Sequence, residues 1–123
     1  MKLLSDTELC GLLAPSDGTA IVLGVKIPHH PYEKMSPVQP SSLDLTIGFI
    51  YVPDTPNGRP GSLSTAAIEH VLTPGQTAIV ATAEEFNFPS DIAAFGFPPT
   101  RISSNGILMT NPGHIDPGFK GHV

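Results

Sequence analysis

The sequence predicts an all-β domain led by one short helix, with its strands arranged as a sandwich or a distorted barrel. Apolar residues make up 40% of the chain and gather into runs of strand length, the pattern that a folded β domain needs. Pro (14) and Gly (12) together exceed a fifth of the 123 residues and fall between those runs, where tight turns use them. Without apolar clustering, so much Pro and Gly would indicate disorder; with it, the balance favours many short strands. No internal repeat, heptad or low-complexity tract interrupts the pattern. The length fits a single domain, residues 1–123, able to bury a core without disulfide or metal staples.

The helix comes first. Ser5 is placed to accept from the backbone N–H near Glu8, and Glu8 to reach back to the N–H of Ser5, a capping box with Leu4 and Leu9 at the staple positions. Leu9, Leu12 and Leu13 share one helical face, and Pro15 ends the run. Residues 19–26 are an apolar, β-branched run of strand length, followed by a proline-punctuated stretch over 27–40. Leu43, Leu45, Ile47, Phe49 and Tyr51 alternate with Asp44, Thr46 and Gly48, which predicts a half-buried strand. Residues 53–61 cannot be a central strand, because their prolines remove ladder donors, and are expected to form an exposed excursion. Strands are expected at 67–72 and 76–82 with Pro74-Gly75 as the turn between them, an extended segment and turn at 86–90, and strands at 92–97, 106–110 and 120–123. The last of these has only begun when the sequence stops at Val123, so the domain is expected to be truncated at its C-terminus.

Charge narrows the function classes. Six Lys and Arg against eleven Asp and Glu give a net charge of −5 with no basic block, which argues against a nucleic-acid polymer as partner, since that partner wants a cationic stripe. A small anionic ligand needs only two or three well-placed donors and stays open. Cys10 is the one cysteine, so an internal disulfide and a multi-cysteine zinc site are excluded, and a reducing cytoplasm is the expected compartment. No apolar run reaches the length of a membrane span, and Met1-Lys2-Leu3-Leu4 leads straight into a helix start, a poor signal peptide.

The segment from Gly106 to Val123 carries the chemistry. An expected strand delivers the chain to a turn that presents Asp116 beside Pro117-Gly118 before the next strand. Asp116 there can orient a water or hold a sugar hydroxyl; alternatively it forms an Asx turn, bonding its own backbone two residues on. His29-His30 lacks the spaced partners of a metal site. His70, in an apolar run, is expected to be a satisfied core or edge histidine. Gly-x-Gly-x-x-Gly and Walker-type phosphate loops are absent.

Gly113-His114-Ile115-Asp116-Pro117-Gly118-Phe119-Lys120-Gly121-His122 resembles the turn of the dCTP deaminase family and is similar to the third motif of trimeric dUTPases. Leu4-Ser5-Asp6-Thr7-Glu8-Leu9 resembles the opening helix of dCTP deaminases, and Gln39-Pro40-Ser41-Ser42-Leu43-Asp44-Leu45-Thr46-Ile47-Gly48 their first shared motif. Leu72-Thr73-Pro74-Gly75-Gln76 and Ala81-Thr82-Ala83-Glu84-Glu85 are similar to the turn and strand leading into their active-site region. These matches run in order from Leu4 to Val123.

The resemblance implies a distorted β-barrel or jelly roll of the dUTPase-like type with a short N-terminal helix. It implies deamination of dCTP to dUTP, or hydrolysis of dUTP, with Mg²⁺ carried on the nucleotide phosphates and no zinc. A zinc deaminase needs a Pro-Cys-x-x-Cys pair, so deamination here would be the metal-free kind. Sites in this superfamily lie between subunits of a homotrimer. Carried over by position, Asp116 would place the deoxyribose or the water. Asn111, Pro112, Gly113 and His114 would line the base pocket; Arg101, Ser103, Ser104 and Lys120 would meet phosphate. Asp44 matches the acid of the first motif and is a minor candidate.

The departures from the family pattern are specific. Family members carry Arg-Ser-Ser just before the strand matched by residues 106–110; here Pro98-Pro99-Thr100-Arg101-Ile102-Ser103-Ser104-Asn105 stands in its place, and the two prolines supply no backbone donor. A turn rich in Ser and Asn, with no ligand, is the competing reading of that stretch. The essential Glu of the family falls just past the Gly-His-Val position, beyond Val123, and the turn from Thr110 to Asp116 is one residue shorter than usual. A catalytically degenerate nucleotide-binding or oligomerisation domain of a larger protein is therefore the alternative function. An unrelated β-sandwich binding module would leave the ordered matches to coincidence.

Overall fold

The computed structural model describes residues 2–15, 19–25, 36–53, 63–67, 69–110 and 113–123, with residues 53 and 63–67 described by their backbone alone. Helix α1, Asp6–Leu13, forms as its local sequence dictates. Ser5 Oγ accepts from the N–H of Glu8 at 3.4 Å and the Glu8 carboxylate accepts from the N–H of Ser5 at 3.0 Å, so the capping box is complete. Asp6 N–H also donates to Pro40 O at 3.0 Å, which seats the helix start on the following hairpin. Leu9 and Leu13 are buried and Leu12 packs beside them, so the leucine face docks as expected.

The strands are short and form small antiparallel sheets among the described residues. Strand β1 (Val22–Leu23) pairs with β7 (Glu85–Asn87), which also pairs with β10 (Lys120–Gly121). Strands β2 (Val38–Gln39) and β3 (Ser42–Leu43) make a hairpin about Pro40-Ser41. Strand β4 (Ile47–Pro53) lies between β5 (Leu63–Ala67) and β6 (Ile79–Thr82), and β8 (Ala94–Phe95) pairs with β9 (His114–Ile115). Helix α2, Thr100–Ser103, is a single turn. The architecture is predominantly β, and among the described residues its sheets do not close into one barrel.

The core joins α1 to the β1–β7–β10 sheet, the β2–β3 hairpin and the β8–β9 pair. Leu9, Leu13, Ile21, Val22, Val38, Phe86, Phe88 and Ile115 are all buried in one apolar cluster. Phe86 meets Phe88 edge-on at 5.2 Å between ring centroids and Phe119 at 6.4 Å, geometries that aromatic quadrupoles favour.

Several expected elements change on folding. The alternating run over 43–51 breaks at 44–46 into β3 and β4; Leu43 packs on the core and Tyr51 is half-buried, but Leu45, Ile47 and Phe49 between them are exposed. Ile47 is 56% and Phe49 46% exposed. The register pairs Phe49 with Ala81 and Tyr51 with Ile79, and paired residues share a face, so exposed Ile79 continues that apolar face. Val80, paired with Ile50 on the opposite face, is exposed as well.

The strand expected at 67–72 is a correction. The strand lies at Leu63–Ala67, and residues 69–72 run without ladder bonds into the Thr73–Gln76 turn. That turn closes by Gln76 N–H to Thr73 O at 3.0 Å, with Gly75 at φ 82°. His70 is consequently not a satisfied strand histidine: its Nε2 is buried without a hydrogen-bond partner.

The strand expected at 106–110 is also absent. Residues 107–109 have no regular structure and are exposed, because α2 and the turn ending at Gly106 (φ 80°) direct the chain away from a ladder. The strands expected at 19–26, 76–82, 92–97 and 120–123 survive as the shorter β1, β6, β8 and β10. His29, His30 and most of the 53–61 excursion lie outside the described residues.

Candidate functional site

The Asp116 turn is built by anchoring on both sides. Ile115 is buried in the core, and Phe119 packs against Phe86. Between them Gly118 N–H donates to Pro89 O at 3.0 Å and Phe119 N–H to Asp116 O at 3.2 Å, while Gly118 takes φ 79°, a conformation that suits glycine. Phe119 O in turn accepts from Phe88 N–H at 2.8 Å. The turn is therefore fixed by backbone bonds and apolar anchors that make no use of the Asp116 side chain.

That carboxylate stands out into solvent, with its side chain 77% exposed. The Asx-turn alternative does not describe it, because the N–H of Gly118, two residues on, belongs to Pro89 O. Its partner is His114, whose Nδ1 lies 3.3 Å from Asp116 Oδ1. On the β8–β9 ladder Phe95 sits directly opposite His114, and the two rings lie 5.1 Å apart and tilted by 38°. Ala94 and Ile115, the neighbouring pair, turn towards the core. Gly96 N–H to Gly113 O at 2.7 Å extends this contact by one step. An acceptor carboxylate, an imidazole and an exposed aromatic ring thus share one edge.

The other candidates are placed separately. Arg101 and Ser103 lie on α2 and Ser104 caps its C-terminal end; all three are exposed. Ser104 Oγ donates to Thr100 O at 2.7 Å, and Asn105 Nδ2 to Arg101 O at 2.8 Å, so this stretch satisfies its own backbone. Lys120 is exposed on β10 opposite Asn87. Among the described residues no hydrogen bond or ion pair joins α2 to the Asp116 turn. Asn111 and Pro112 lie outside the described residues, while Gly113 is half-buried beside Val123. Asp44 is exposed; Gln39 Nε2 donates to its carboxylate at 3.4 Å. Among the described residues, no group of His, Cys, Asp and Glu side chains converges as a metal site. No described helix is long and apolar enough to cross a membrane.

Two residues stand out that the sequence reading passed over. Phe95 gained its place only through pairing with His114 across the ladder. Glu84 is buried at 6% exposure, and both its carboxylate oxygens lie close to the N–H of Thr46, at 3.1 and 3.0 Å. Two adjacent carboxylates, Glu84 and Glu85, stand between the runs Ile79–Thr82 and Phe86–Phe88, and nothing local tells which of them is buried.

Comparison with known proteins gives the relationship. The chain is 31% identical over 127 residues to a protein of Mycobacterium ulcerans (strain Agy99) named dCTP deaminase, dUMP-forming; the match covers 91% of this chain and 66% of the relative. A protein of the same name from Mycobacterium marinum (strain ATCC BAA-535 / M) is 30% identical with the same coverage. A third, from Kocuria rhizophila, is 43% identical over 54 residues, which are 43% of this chain and 28% of the relative. The chain thus spans just under two-thirds of the length of the mycobacterial relatives it matches. No solved structure gives a significant match. A family model for dCTP deaminase-like domains matches residues 18–123, and on that match and these identities the chain belongs to the dCTP deaminase-like family.

Proposed function

We propose that this chain is the nucleotide-processing domain of an enzyme acting on dCTP, and that it removes the base's amine. The observation that carries the reading is the Asp116 turn. A carboxylate is held outward by two core anchors, lies 3.3 Å from His114 Nδ1, and stands close to an exposed aromatic ring. In deamination, water oxygen bonds to C4 of the cytosine ring and the C4–N4 bond breaks; one of the water's protons leaves with the amine as ammonia and the other ends on N3 of the resulting uracil. Asp116 is assigned to hold the deoxyribose or the water, and His114, Gly113, Asn111 and Pro112 to border the base. Arg101, Ser103, Ser104 and Lys120 are assigned to the phosphates, with Mg²⁺ arriving on the nucleotide.

The name of the mycobacterial relatives contains both reactions that the sequence left as alternatives, since forming dUMP from dCTP also requires loss of diphosphate. Hydrolysis of dUTP therefore belongs to the same reading. So does the closure of the sheets into a dUTPase-like barrel within a homotrimer, which the uncovered apolar faces of β4 and β6 favour.

One observation favours nucleotide binding without turnover instead: Ser104 spends its hydroxyl inside α2, and Pro98-Pro99 bring no N–H to a phosphate. A single assay separates the readings. With dCTP or dUTP and Mg²⁺, ammonia, dUMP and diphosphate are followed over time. Turnover that falls by about 10²-fold or more in Asp116→Asn is the expected result, the scale of a positioned catalytic group. Binding without product would establish the degenerate reading, and the absence of both would remove the nucleotide.

A further inference from the structure

The chain through β8 alternates between core and solvent. Ile92 and Ala94 pack against the core, while Phe95 and Phe97 are 65% and 77% exposed. Neither ring is held in place by burial, and the two differ in what they meet. Phe95 shares a ladder rung with His114, and side chains directly opposed on one face are close neighbours. Their rings lie 5.1 Å apart between centroids and are tilted by 38°, within the range over which aromatic rings attract. Phe97 makes no such contact among the described residues.

His114 and Asp116 flank the buried Ile115, so their side chains share the outward face. His114 Nδ1 lies 3.3 Å from Asp116 Oδ1, with both side chains more than half exposed. A charge contact in solvent is weak, and the freedom of both side chains works against it. The backbone does not settle the matter. The rung and the bond from Gly96 N–H to Gly113 O at 2.7 Å fix where His114 is attached, yet leave its imidazole free to change rotamer. The Phe95 ring restricts that rotation: with the imidazole laid against it, Nδ1 is kept at the Asp116 side. We propose that Phe95 is a positioning residue, whose ring holds His114 beside Asp116 so that the pair meets a nucleotide in one arrangement. The proposal rests on the nucleotide-processing reading above, and it holds equally for a site completed by a neighbouring chain.

The test combines calorimetric titration with dCTP and dUTP in the presence of Mg²⁺ with NMR three-bond couplings of the His114 side chain in the free protein. It uses wild type, Phe95→Leu, Phe95→Tyr and Phe97→Leu. Wild-type couplings should report one dominant χ1 rotamer for His114. Phe95→Leu keeps an apolar side chain but removes the ring face. Its His114 couplings should average over rotamers, and affinity should fall about three- to tenfold, the fold-change that corresponds to an aromatic pair. Phe95 is mostly exposed, so the variant should fold, and an unchanged far-UV spectrum checks this. Phe95→Tyr restores the ring and should return both readouts to wild type, while Phe97→Leu should change neither. A single His114 rotamer retained in Phe95→Leu overturns the proposal, whether or not affinity falls. Wild-type affinity in a Phe95→Leu protein whose His114 rotamers average overturns it too. If wild type holds one His114 rotamer but binds neither nucleotide, it is the nucleotide reading that falls, and not the hold of Phe95 on His114.

Discussion

Glu8 shows how much one exposed side chain can be shifted by local partners. Its carboxyl is held well below the ordinary 4.5, at about 2, first by the hydrogen bond from Lys2 and then by the backbone N–H and hydroxyl of Ser5. A carboxyl whose folded pKa is depressed contributes stability above its unfolded value and loses it as pH falls through the folded one. The window is therefore about pH 4.5 down to about 2. Glu8→Gln isolates the charge, because glutamine also serves in a capping box. The Tm difference between wild type and Glu8→Gln should be largest near neutral pH, shrink below pH ~4.5 and vanish near pH ~2. It should also shrink in high salt, since the pair with Lys2 is exposed and screened. Thermal unfolding followed by circular dichroism across that range checks both. At the same scale, Asp116 was legible in the sequence because Pro117-Gly118 marks its turn and Ile115 and Phe119 announce core anchors. Glu84 was not, because its burial depends on Thr46, which is distant in the chain and reached only by folding.

Elements divide according to whether their determinants are local. Helix α1 could be read from sequence alone, since its cap, staple and stop all lie within a few residues. Strand β5 was hidden because Leu63-Ser64-Thr65-Ala66-Ala67 is small, only weakly apolar, and follows Pro60-Gly61. The run over 106–110 misled in the opposite sense: its apolar residues suit a strand, but a strand exists only beside a partner edge, and α2 sends this one elsewhere. The antiparallel pair β8–β9 brings His114 beside Phe95. Strand β4 shows a further constraint of tertiary origin. At its bulge Gly48 faces Ala83 Cα, Ala83 N and Thr82 C at 2.6, 2.7 and 3.0 Å from a notional Cβ, all of them backbone atoms that cannot swing aside. Gly48→Ala should therefore destabilise the fold by about 1–3 kcal/mol, the usual cost of overpacking. Urea unfolding of the variant measures this; an unchanged midpoint would mean that the β4–β6 junction is looser than its geometry.

At the scale of the whole molecule, the described residues include one buried apolar core and a separate group of uncovered apolar side chains on the β5–β4–β6 sheet. The core joins α1, the β1–β7–β10 sheet and the β8–β9 hairpin through Leu9, Leu13, Phe86, Phe88 and Ile115. The β5–β4–β6 sheet exposes Ile47, Phe49 and Ile79 on one face and Val80 on the other. Exposed apolar side chains gathered on one sheet face are a mark of interfaces. The alternation from Leu43 to Tyr51 that reads as half-buried is consistent if its cover comes from another copy of the chain. Association into the trimer proposed above then has a direct test. Phe49 is the best probe: it is exposed, it is flanked by Tyr51 and His122 with ring centroids at 6.4 Å from each, and it belongs to no part of the buried core. Phe49→Asp places a charge in the middle of that face, where desolvating it would oppose contact by several kcal/mol. In sedimentation velocity the wild type should run as a species larger than one chain, and Phe49→Asp as a monomer with an unchanged far-UV spectrum. A wild-type protein that sediments as a monomer at every concentration would show that this sheet is covered by some other means.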